Sequence, residues 1–342
     1  MGQVIKLKKH GDDFNLEISK LTNLCQEDLK SINTLILEKL DSNVPLIHEI
    51  ASYLIMSGGK RLRPLLTSCC FHLIIDKIKD EKNYIGLAAA VEFIHAATLL
   101  HDDVIDESKK RRGNLSANEV WGNKTSVLVG DFLFSRAFQL MTKYGNLEIL
   151  KILSDTSVII SEGEVLELTN DKDPTINEDV YFDVINGKTA SLFSAACQIG
   201  GISAKGNIKE IESLKSFGTN FGMAFQLIDD AIDYSSTNDS LGKNIGDDFK
   251  EGKVTLPIIL AYLRSNNEEK QFWQKTIINL NQDKTDLDKA IGIMQKYNCI
   301  SDTVERAKHF ASVAIDSLGI FKQSIYKDHL LNLIVSSLNR IN

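Results

Sequence analysis

Two clusters of aspartates are the residues of this chain whose types and spacing could do chemistry. Both read DDxxD, the first at positions 102–106 and the second at positions 229–233. An α-helix turns about 100° per residue, so the first and last aspartate of each cluster lie one above the other. Close carboxylates repel one another and raise their own pKa values, and a divalent cation relieves that repulsion. Oxygen ligands suit Mg²⁺, which keeps several waters and joins a few carboxylates to phosphates.

A single DDxxD is as readily a solvated helix end. Aspartates at the C-terminal end of a helix also oppose the helix dipole, a cost that needs a reason. Here the motif occurs twice, each time directly after a strongly apolar helical segment. The pair therefore predicts two facing carboxylate clusters at the mouth of an apolar bundle, where a metal–diphosphate group would be held above a hydrocarbon.

A diphosphate site also needs cations, and four segments supply them. The turn GGKRLRP at 58–64 combines three cations with glycines that let the backbone approach closely, and its arginine forks match phosphate oxygens. The others are RRG at 111–113, Lys188-Thr189, and the segment 241–257 with Lys243 and Lys253. Singly, each is more often a solvated surface charge, and the GxxxxGK[ST] phosphate loop is absent from the turn.

The elements that must position these residues are predicted to be helices. Apolar residues recur at helical spacing and no strand-like alternation persists, so the fold class is all-α. The predicted helices cover 28–40, 44–56, 63–78, 83–106, 126–144, 148–170, 178–201, 208–233 and 255–264. The stretch 109–113 is predicted to be a charged loop. The polar, lysine-rich C-terminal third is predicted to form outer amphipathic helices.

Composition bounds the class of protein. The 342 residues are 43% hydrophobic and 25% charged with a net charge of −7, which excludes a wholly disordered or collagen-like chain and argues against a broad nucleic-acid-binding face. Five cysteines without a CxxC pair predict reduced thiols in a cytoplasmic protein. No signal peptide is expected at the N-terminus. The best apolar run, 87–100, contains Glu92 and His95 and is too short for a membrane span.

With these residues in view, the sequence resembles the trans-isoprenyl diphosphate synthases (polyprenyl synthetases), and in particular the bacterial octaprenyl diphosphate synthases. The matching segments keep the family's order and span most of residues 40–260. They are GGKRLRP at 58–64, EFIHAATLLHDDVIDES at 92–108, RRG at 111–113, SVLVGDFLFSRAF at 126–138, EGEVLEL at 162–168, GKTASLF at 187–193, AFQLIDDAIDY at 224–234 and LGKNIGDDFKEGKVTLP at 241–257.

The resemblance implies a single polyprenyl synthetase domain over residues 1–342, an isoprenoid-synthase helical bundle around a central apolar cavity. Its signature motifs lie within 57–257, and C-terminal helices occupy 258–342. It also implies a homodimer, the cofactor Mg²⁺, and two substrates, isopentenyl diphosphate and an allylic diphosphate. It implies no nucleic-acid partner and no membrane span, although product release could involve peripheral membrane contact.

The resemblance further implies roles for individual residues. Metal ligands would be Asp102, Asp103, Asp106, Asp229 and Asp233. Catalysis would involve Asp102, Asp103, Asp106, Asp229, Asp230 and Lys188. The allylic substrate would contact Arg111, Lys188, Thr189, Gln226, Lys243 and Lys253, and isopentenyl diphosphate would contact Lys60, Arg63, His95 and Arg112. One departure from the family's pattern is Glu167, where related sequences carry glutamine.

Chain length is predicted from the residues one turn before Asp102. Ala97 and Thr98 are small, whereas an aromatic residue there closes the product tunnel early in this family. The small residues therefore predict a long product. The resemblance implies a length of about octaprenyl, a primer such as farnesyl diphosphate and a quinone side chain as the destination. Phe132 is a candidate for the tunnel floor, with Phe134 and Phe138 beside it, although each could equally be core packing.

Three other functions stay open at this point. A terpene cyclase shares the first aspartate motif but usually carries a different second metal motif. A shorter-chain, geranylgeranyl-type synthase is disfavoured by the small residues at 97 and 98. A noncatalytic subunit of a heteromeric synthase commonly loses aspartates from these motifs, and both sets are complete here.

Overall fold

Helices form along nearly the whole chain because apolar residues recur at helical spacing and only four prolines interrupt them. The structure is a computed structural model that describes residues 11–75, 82–235 and 245–341. Its α-helices are α1 (Gly11–Leu24), α2 (Gln26–Lys39), α3 (Pro45–Met56), α4 (Leu62–Ile74), α5 (Asn83–Ile105), α6 (Ala117–Trp121), α7 (Asn123–Tyr144), α8 (Leu147–Thr169), α9 (Glu178–Ile185), α10 (Ser191–Ser203), α11 (Ile208–Asp233), α12 (Asp247–Glu251), α13 (Leu256–Arg264), α14 (Asn267–Trp273), α15 (Asp286–Lys296), α16 (Cys299–Ser317) and α17 (Ile325–Leu338). Asn186–Ala190 and Gln274–Ile278 are π-helical, and Leu318–Ile320 and Asn339–Ile341 are short 3₁₀ turns.

The predicted all-α class is confirmed, with local differences. Helices α1 and α6 were not predicted. The predicted helix 178–201 is divided by the π-helical turn Asn186–Ala190 into α9 and α10. The predicted loop 109–113 instead starts a small antiparallel ribbon of β1 (Lys110–Arg111) and β2 (Asn114–Leu115). Arg112 and Gly113 between the strands both have positive φ, at 53° and 83°. Two such residues make the tight two-residue turn that suits a hairpin.

The long apolar helix α5 is the centre of the bundle. It is buried from Tyr84 to Asp103, and it packs along α7 and against α2, α4 and α10. The contacts of Gly86 with Tyr144 and of Gly130 with His101 show that α5 and α7 run antiparallel. By length and composition α5 could also cross a membrane, but 78% of its apolar window is buried inside the protein, as in the core helix of a globular bundle.

The C-terminal helices carry an apolar core of their own. They are amphipathic as predicted, but they also enclose Trp273, Met294 and Cys299, which are fully buried. This second cluster and the larger one around α5 share contacts with Phe310 and Leu338. Helix α11 lies between them, packed against α10 on one side and α16 on the other.

Candidate active site

The first aspartate cluster lies where α5 ends, and basic side chains from later segments pair with it. Asp103 is fully buried, and its Oδ1 accepts hydrogen bonds from Arg111 Nε at 2.8 Å and Nη2 at 2.6 Å. Its Oδ2 is buried without a hydrogen-bond partner among the described residues. Asp106 caps the helix, and its Oδ2 lies 3.3 Å from Lys253 Nζ. The ribbon thus supplies one cation to this cluster, and the segment after α12 supplies the other.

Asp102 lies in a strongly negative environment. Burial, together with the carboxylates of Glu164 and Asp106, raises the pKa of Asp102 to about 7 against the opposing effect of Lys188 and Arg111. Burial likewise raises the pKa of Glu164, whose Oε1 has no hydrogen-bond partner among the described residues. A cation bound between these groups would stabilise their ionised forms.

The second cluster occupies the last turn and a half of α11, and each of its first two aspartates has strong partners. Asp229 Oδ1 lies 2.6 Å from Arg340 Nη2, a residue of the C-terminal 3₁₀ turn. Asp230 Oδ2 accepts a hydrogen bond from the Tyr181 hydroxyl at 2.5 Å, and its Oδ1 accepts one from Gln226 Nε2 at 2.8 Å. Burial raises the pKa of Asp230 to about 6 in spite of these two hydrogen bonds, which lower it.

The third aspartate of this cluster ties the two clusters to the same end of the bundle. Asp233 Oδ2 accepts the backbone N–H of Asp248 at 3.1 Å, and its carbonyl accepts the N–H of Gly246 at 2.9 Å. Helix α12 begins there and is followed by Lys253, which reaches Asp106 of the first cluster. A single short segment therefore contacts both carboxylate clusters.

Two glycines bring α8 and the π-helical turn into direct backbone contact. A Cβ on Gly163 would lie 3.0 Å from the Gly187 Cα, so a larger residue at either position would push the segments apart. This approach places Lys188 Nζ 3.0 Å from Glu164 Oε2 and 2.5 Å from Glu167 Oε2. Although burial disfavours its charged form, Glu167, Glu164 and Asp102 raise the pKa of Lys188 above its ordinary value, so this lysine stays protonated.

A chain of hydrogen bonds continues from the π-helical turn to the second cluster. Thr189 Oγ1 donates to Gln226 Oε1 at 2.9 Å, and Gln226 donates in turn to Asp230. A π-helical turn inside an α-helix often marks a functional site because it displaces side chains from the regular pattern. Here it directs consecutive residues, Lys188 and Thr189, toward the first and second aspartate clusters respectively. The two clusters thus lie near each other at this end of the bundle, and the space between them is called the cleft below.

The glycine-opened turn 58–64 meets the ribbon at this cleft. Gly59 has φ of +141°, which strains any other residue, and a Cβ there would lie 2.8 Å from Arg112 Nη1, so a larger residue would also displace that guanidinium. Arg61 has φ of 46° and forms an ion pair with the buried Glu92 of α5. Arg61 also donates to the Ile55 carbonyl at 2.7 Å, which fixes the course of the turn.

The remaining predicted cations lie beside this turn. The Arg63 guanidinium carbon is 4.3 Å from the centre of the Phe193 ring, and burial lowers the pKa of Arg63 to about 10. Burial and the neighbouring Arg63 and Arg112 lower the pKa of His95 well below its ordinary value, so the imidazole is neutral at pH 7. Lys60 Nζ lies 4.9 Å above the Phe14 ring. The structure therefore brings all four residues predicted for isopentenyl diphosphate to one side of the cleft.

The predicted chain-length residues lie below the first cluster and on the adjacent helix. Ala97 is fully buried, and the hydroxyl of Thr98 donates to the His95 carbonyl at 2.9 Å. Phe132 is half-buried on α7, where the Arg136 guanidinium lies 4.8 Å from its ring centre. Which residue forms the tunnel floor stays a prediction.

One predicted residue lies outside the described part of the chain, and three partners were missed. Lys243 falls in the gap between residues 235 and 245. The missed residues are Tyr181, Arg61 and Arg340, which bind Asp230, Glu92 and Asp229. Arg61 belongs to the GGKRLRP turn, but the sequence does not show that it pairs with the buried Glu92. The other two belong to no motif, and they reach their partners across long stretches of sequence.

The carboxylates fit a divalent ion that is shared with a phosphate. No three His, Cys, Asp or Glu side chains within the described ranges converge closely enough to hold a metal ion on their own. Mg²⁺ usually binds only one or two protein carboxylates and completes its six ligands with waters and substrate phosphates. Buried oxygens without hydrogen-bond partners on Asp103 and Glu164 leave acceptors for such an ion or its waters.

Comparisons with known proteins agree on one family. A sequence model of the family described as "Polyprenyl synthetase" matches residues 44–294. The octaprenyl diphosphate synthase of Escherichia coli K12 is 41% identical over 319 residues, which cover 93% of this chain and 97% of that protein. A crystal structure of a decaprenyl diphosphate synthase from Rhodobacter capsulatus superposes with a TM-score of 0.90 at 41% identity, over 95% of this chain and 99% of that one. The crystal structure of a polyprenyl synthase from Caulobacter crescentus CB15, complexed with calcium and isoprenyl diphosphate, superposes with a TM-score of 0.89 at 42% identity. The superposition covers 95% of this chain and 98% of that one.

Proposed function

This chain belongs to the polyprenyl synthetase family, has the all-α isoprenoid-synthase fold of its structural neighbours and is a prenyltransferase, and from this premise we propose its substrates and product. It adds isopentenyl diphosphate units to an allylic diphosphate primer, farnesyl diphosphate in our proposal. The product is a trans-polyprenyl diphosphate of about octaprenyl length for a quinone side chain. Its similarity to octaprenyl and decaprenyl synthases supports a long product.

The observation that carries this proposal is the cleft between the two aspartate clusters. Carboxylates line both sides, and Arg111, Lys188 and Lys253 lie among them. Below the cleft runs the buried, alanine-rich face of α5. A charged head and an apolar tail are the two parts of a prenyl diphosphate, and the site offers one surface for each.

The chain's own residues stabilise the departing diphosphate. Arg111, Lys188 and Lys253 place positive charge where negative charge develops as the allylic carbon–oxygen bond breaks. Thr189 and Gln226, already joined by a hydrogen bond, orient polar dipoles toward the carbocation that remains. The double bond of isopentenyl diphosphate attacks this cation, and a proton then leaves to the departed diphosphate.

The second substrate binds beside the cleft, where the turn 58–64 and Arg112 gather positive charge around His95. Lys60, Arg63 and Arg112 supply charge for its diphosphate, and the neutral His95 contributes a hydrogen bond and no charge. Helix α5 and the helices packed around it exclude water, which would otherwise quench the carbocation to an alcohol.

A divalent ion, Mg²⁺ in our proposal, would be held by Asp102, Asp103, Asp106, Asp229 and Asp233 and would neutralise charge on the leaving diphosphate. The calcium and isoprenyl diphosphate in the Caulobacter crescentus relative support a divalent ion and a diphosphate at this kind of site. The cations that now pair with Asp103, Asp106 and Asp229 show that these carboxylates face groups of opposite charge.

We also propose that the whole chain is one domain that acts as a homodimer in the cytoplasm, with peripheral membrane contact when the product leaves. Exposed apolar residues on two neighbouring helices support the dimer. Leu128 and Phe138 lie on the outer face of α7, and Val158, Val165 and Leu168 lie on that of α8. Apolar surface of this kind, on helices that pack against the core with their other faces, is typical of a subunit interface.

Product chromatography tests the proposal. Purified protein is incubated with Mg²⁺, farnesyl diphosphate and labelled isopentenyl diphosphate, and the dephosphorylated products are sized. A single peak of octaprenyl length is expected. A shorter product would keep the chemistry and overturn the chain-length proposal, and no product with any metal or primer would indicate a noncatalytic subunit.

Two substitutions test the aspartate clusters directly. Asp102→Ala and Asp229→Ala should each lower turnover by orders of magnitude while circular dichroism and Tm show an intact fold. Asp155→Ala, which changes an exposed aspartate of α8, is the matched control and should leave turnover unchanged. Wild-type turnover in either cluster variant would refute the assignment.

A further inference from the structure

Two segments outside the residues matched by the family model complete the cationic side of the cleft. They are helix α1 and the C-terminal 3₁₀ turn, which contribute Phe14 and Arg340. Phe14 is 1% exposed, and its ring centre lies 4.9 Å from Lys60 Nζ and 5.1 Å from the Arg340 guanidinium carbon. The same guanidinium lies 5.0 Å from the Phe225 ring. One aromatic ring thus contacts a cation from each of two distant segments.

These two cations need an attractive partner because they repel each other. Burial and the nearby Arg340 lower the pKa of Lys60, and Asp229 partly opposes them. Asp229 neutralises Arg340 through Nη2 at 2.6 Å, but Arg340 Nη1 is buried without a hydrogen-bond partner in the part of the chain that the structure describes. The electron-rich face of Phe14 supplies the remaining attraction, since aromatic rings bind ammonium and guanidinium groups electrostatically.

We propose that Phe14 is a positioning residue whose ring holds the Lys60 ammonium and the Arg340 guanidinium against the cleft, so that helix α1 sets the affinity for isopentenyl diphosphate. The inference rests on the proposed function, in which Lys60 contacts that substrate. Phe14 itself touches no reacting atom. Its effect passes through Lys60 and Arg340. Because Asp229 and Phe225 also hold Arg340, the loss of the Phe14 ring would chiefly free the Lys60 ammonium.

The alternative role for a buried phenylalanine is packing alone, and Ile18 separates the two roles. Ile18 lies one turn further along α1 and is 6% exposed, so it packs in the same core, and its aliphatic side chain has no aromatic face for a cation. Phe14→Leu keeps an apolar side chain and removes the aromatic face. Ile18→Ala removes apolar packing from the same helix and serves as the control.

The experiment compares steady-state kinetics of the two variants with wild type. Phe14→Leu should raise KM for isopentenyl diphosphate about three- to tenfold, the range that cation–π contacts at a partly desolvated site support. Its kcat and its KM for the allylic substrate should stay within about twofold, because the contact is made equally in ground and transition states. Ile18→Ala should lower Tm by as much or more and leave KM for isopentenyl diphosphate within about twofold of wild type.

A double-mutant cycle shows whether Phe14 acts through Lys60. In a Lys60→Met background, Phe14→Leu should change KM by less than twofold, because residues that share an interaction are not additive. A full additive effect would overturn the proposal, as would an equal rise in KM for Phe14→Leu and Ile18→Ala. Phe14→Tyr retains the aromatic face, and it should restore most of the affinity that leucine loses.

Direct binding keeps this inference separate from the proposed function. Isothermal titration calorimetry with isopentenyl diphosphate in EDTA measures the cationic side without turnover. If wild type binds but forms no product, the proposed function fails, and the calorimetric comparison of Phe14→Leu with Ile18→Ala still decides the role of Phe14. Equal affinities of wild type and Phe14→Leu would refute it.

Discussion

Replacing Ala97 by phenylalanine tests whether a product tunnel runs along α5. Ala97 precedes Asp102 by five residues, so its Cα lies about 7.5 Å below that of Asp102 along the helix axis. An isoprene unit spans roughly 5 Å, close to one helix turn. A phenyl ring at this depth therefore leaves room for about one to two units, too few for a farnesyl primer, so Ala97→Phe should fail to elongate farnesyl diphosphate and should give a product of about geranyl length from a shorter allylic primer.

A second substitution on the same face tests whether product length depends on the depth of the blocking residue along α5. Ala90 is fully buried and lies seven residues before Ala97, two helix turns deeper on the same side of α5. The extra depth is about 10.5 Å, or about two isoprene units. Ala90→Phe should therefore give a product about two units longer than that of Ala97→Phe and shorter than that of wild type.

Stability measurements distinguish a tunnel from a filled core. A phenyl ring forced into close-packed core costs about 1–3 kcal/mol, whereas a ring that enters an open tunnel costs little. Ala96 is 4% exposed and lies about 100° around the helix, so Ala96→Phe is the control that should destabilise without changing the product. Product sizing and calorimetric Tm are measured on all three variants. An unchanged product length with a large loss of Tm in Ala97→Phe would refute the tunnel.

Three further predictions follow from the charges and the exposed face. Glu167→Gln removes one of the two carboxylates that compete with the allylic diphosphate for Lys188, so KM for the allylic substrate should fall in steady-state assays. The fall should be no more than about fivefold, because the Glu167 side chain is 38% exposed. Burial raises the pKa of Asp102 to about 7, so the folded protein binds that proton more tightly than the unfolded chain, and stability is lost as pH rises from about 4 to about 7. Asp102→Asn should therefore raise the free energy of unfolding in EDTA by about 2–4 kcal/mol at pH 8 and by less at pH 5, and the rise in Tm should be larger at pH 8; equal shifts in Tm at both pH values would contradict this. Leu128→Glu should convert the proposed dimer to monomers in size-exclusion chromatography with light scattering, whereas Leu147→Glu, which changes an exposed leucine at the start of α8, should not.

The elements of the fold were largely predictable because their signals are local. The predicted helix 208–233 coincides with α11, and 83–106 differs from α5 by one residue. The ribbon was missed because its strands have two residues each, too few for an alternating pattern to show. The π-helical turn was missed as a distinct element because residues 178–201 keep an apolar helical pattern through Lys188 and Thr189.

The site was predictable only where chemistry is concentrated in motifs. The aspartates and most of the basic residues could be named from sequence, but their pairing could not, because each pair joins different parts of the chain. Lys253 reaches back to Asp106, and Arg340 reaches back to Asp229. Phe14 gives no signal at all, since a phenylalanine at a helical apolar position predicts core packing. Its contacts with Lys60 and Arg340 arise only when both termini of the chain meet at the cleft.

The length of α5 places a limit on how the proposed product lies in the bundle. From Asp102 to its first residue, Asn83, the helix measures about 28 Å, or about five turns. An octaprenyl chain at roughly 5 Å per unit is about 40 Å long when extended, so it cannot lie straight along α5. At the far end of the helix the Tyr144 ring packs directly on Gly86, where an added Cβ would lie 2.1 Å from the ring. A full-length product must therefore bend within the bundle or displace Tyr144, and the residues that end elongation need not lie on α5.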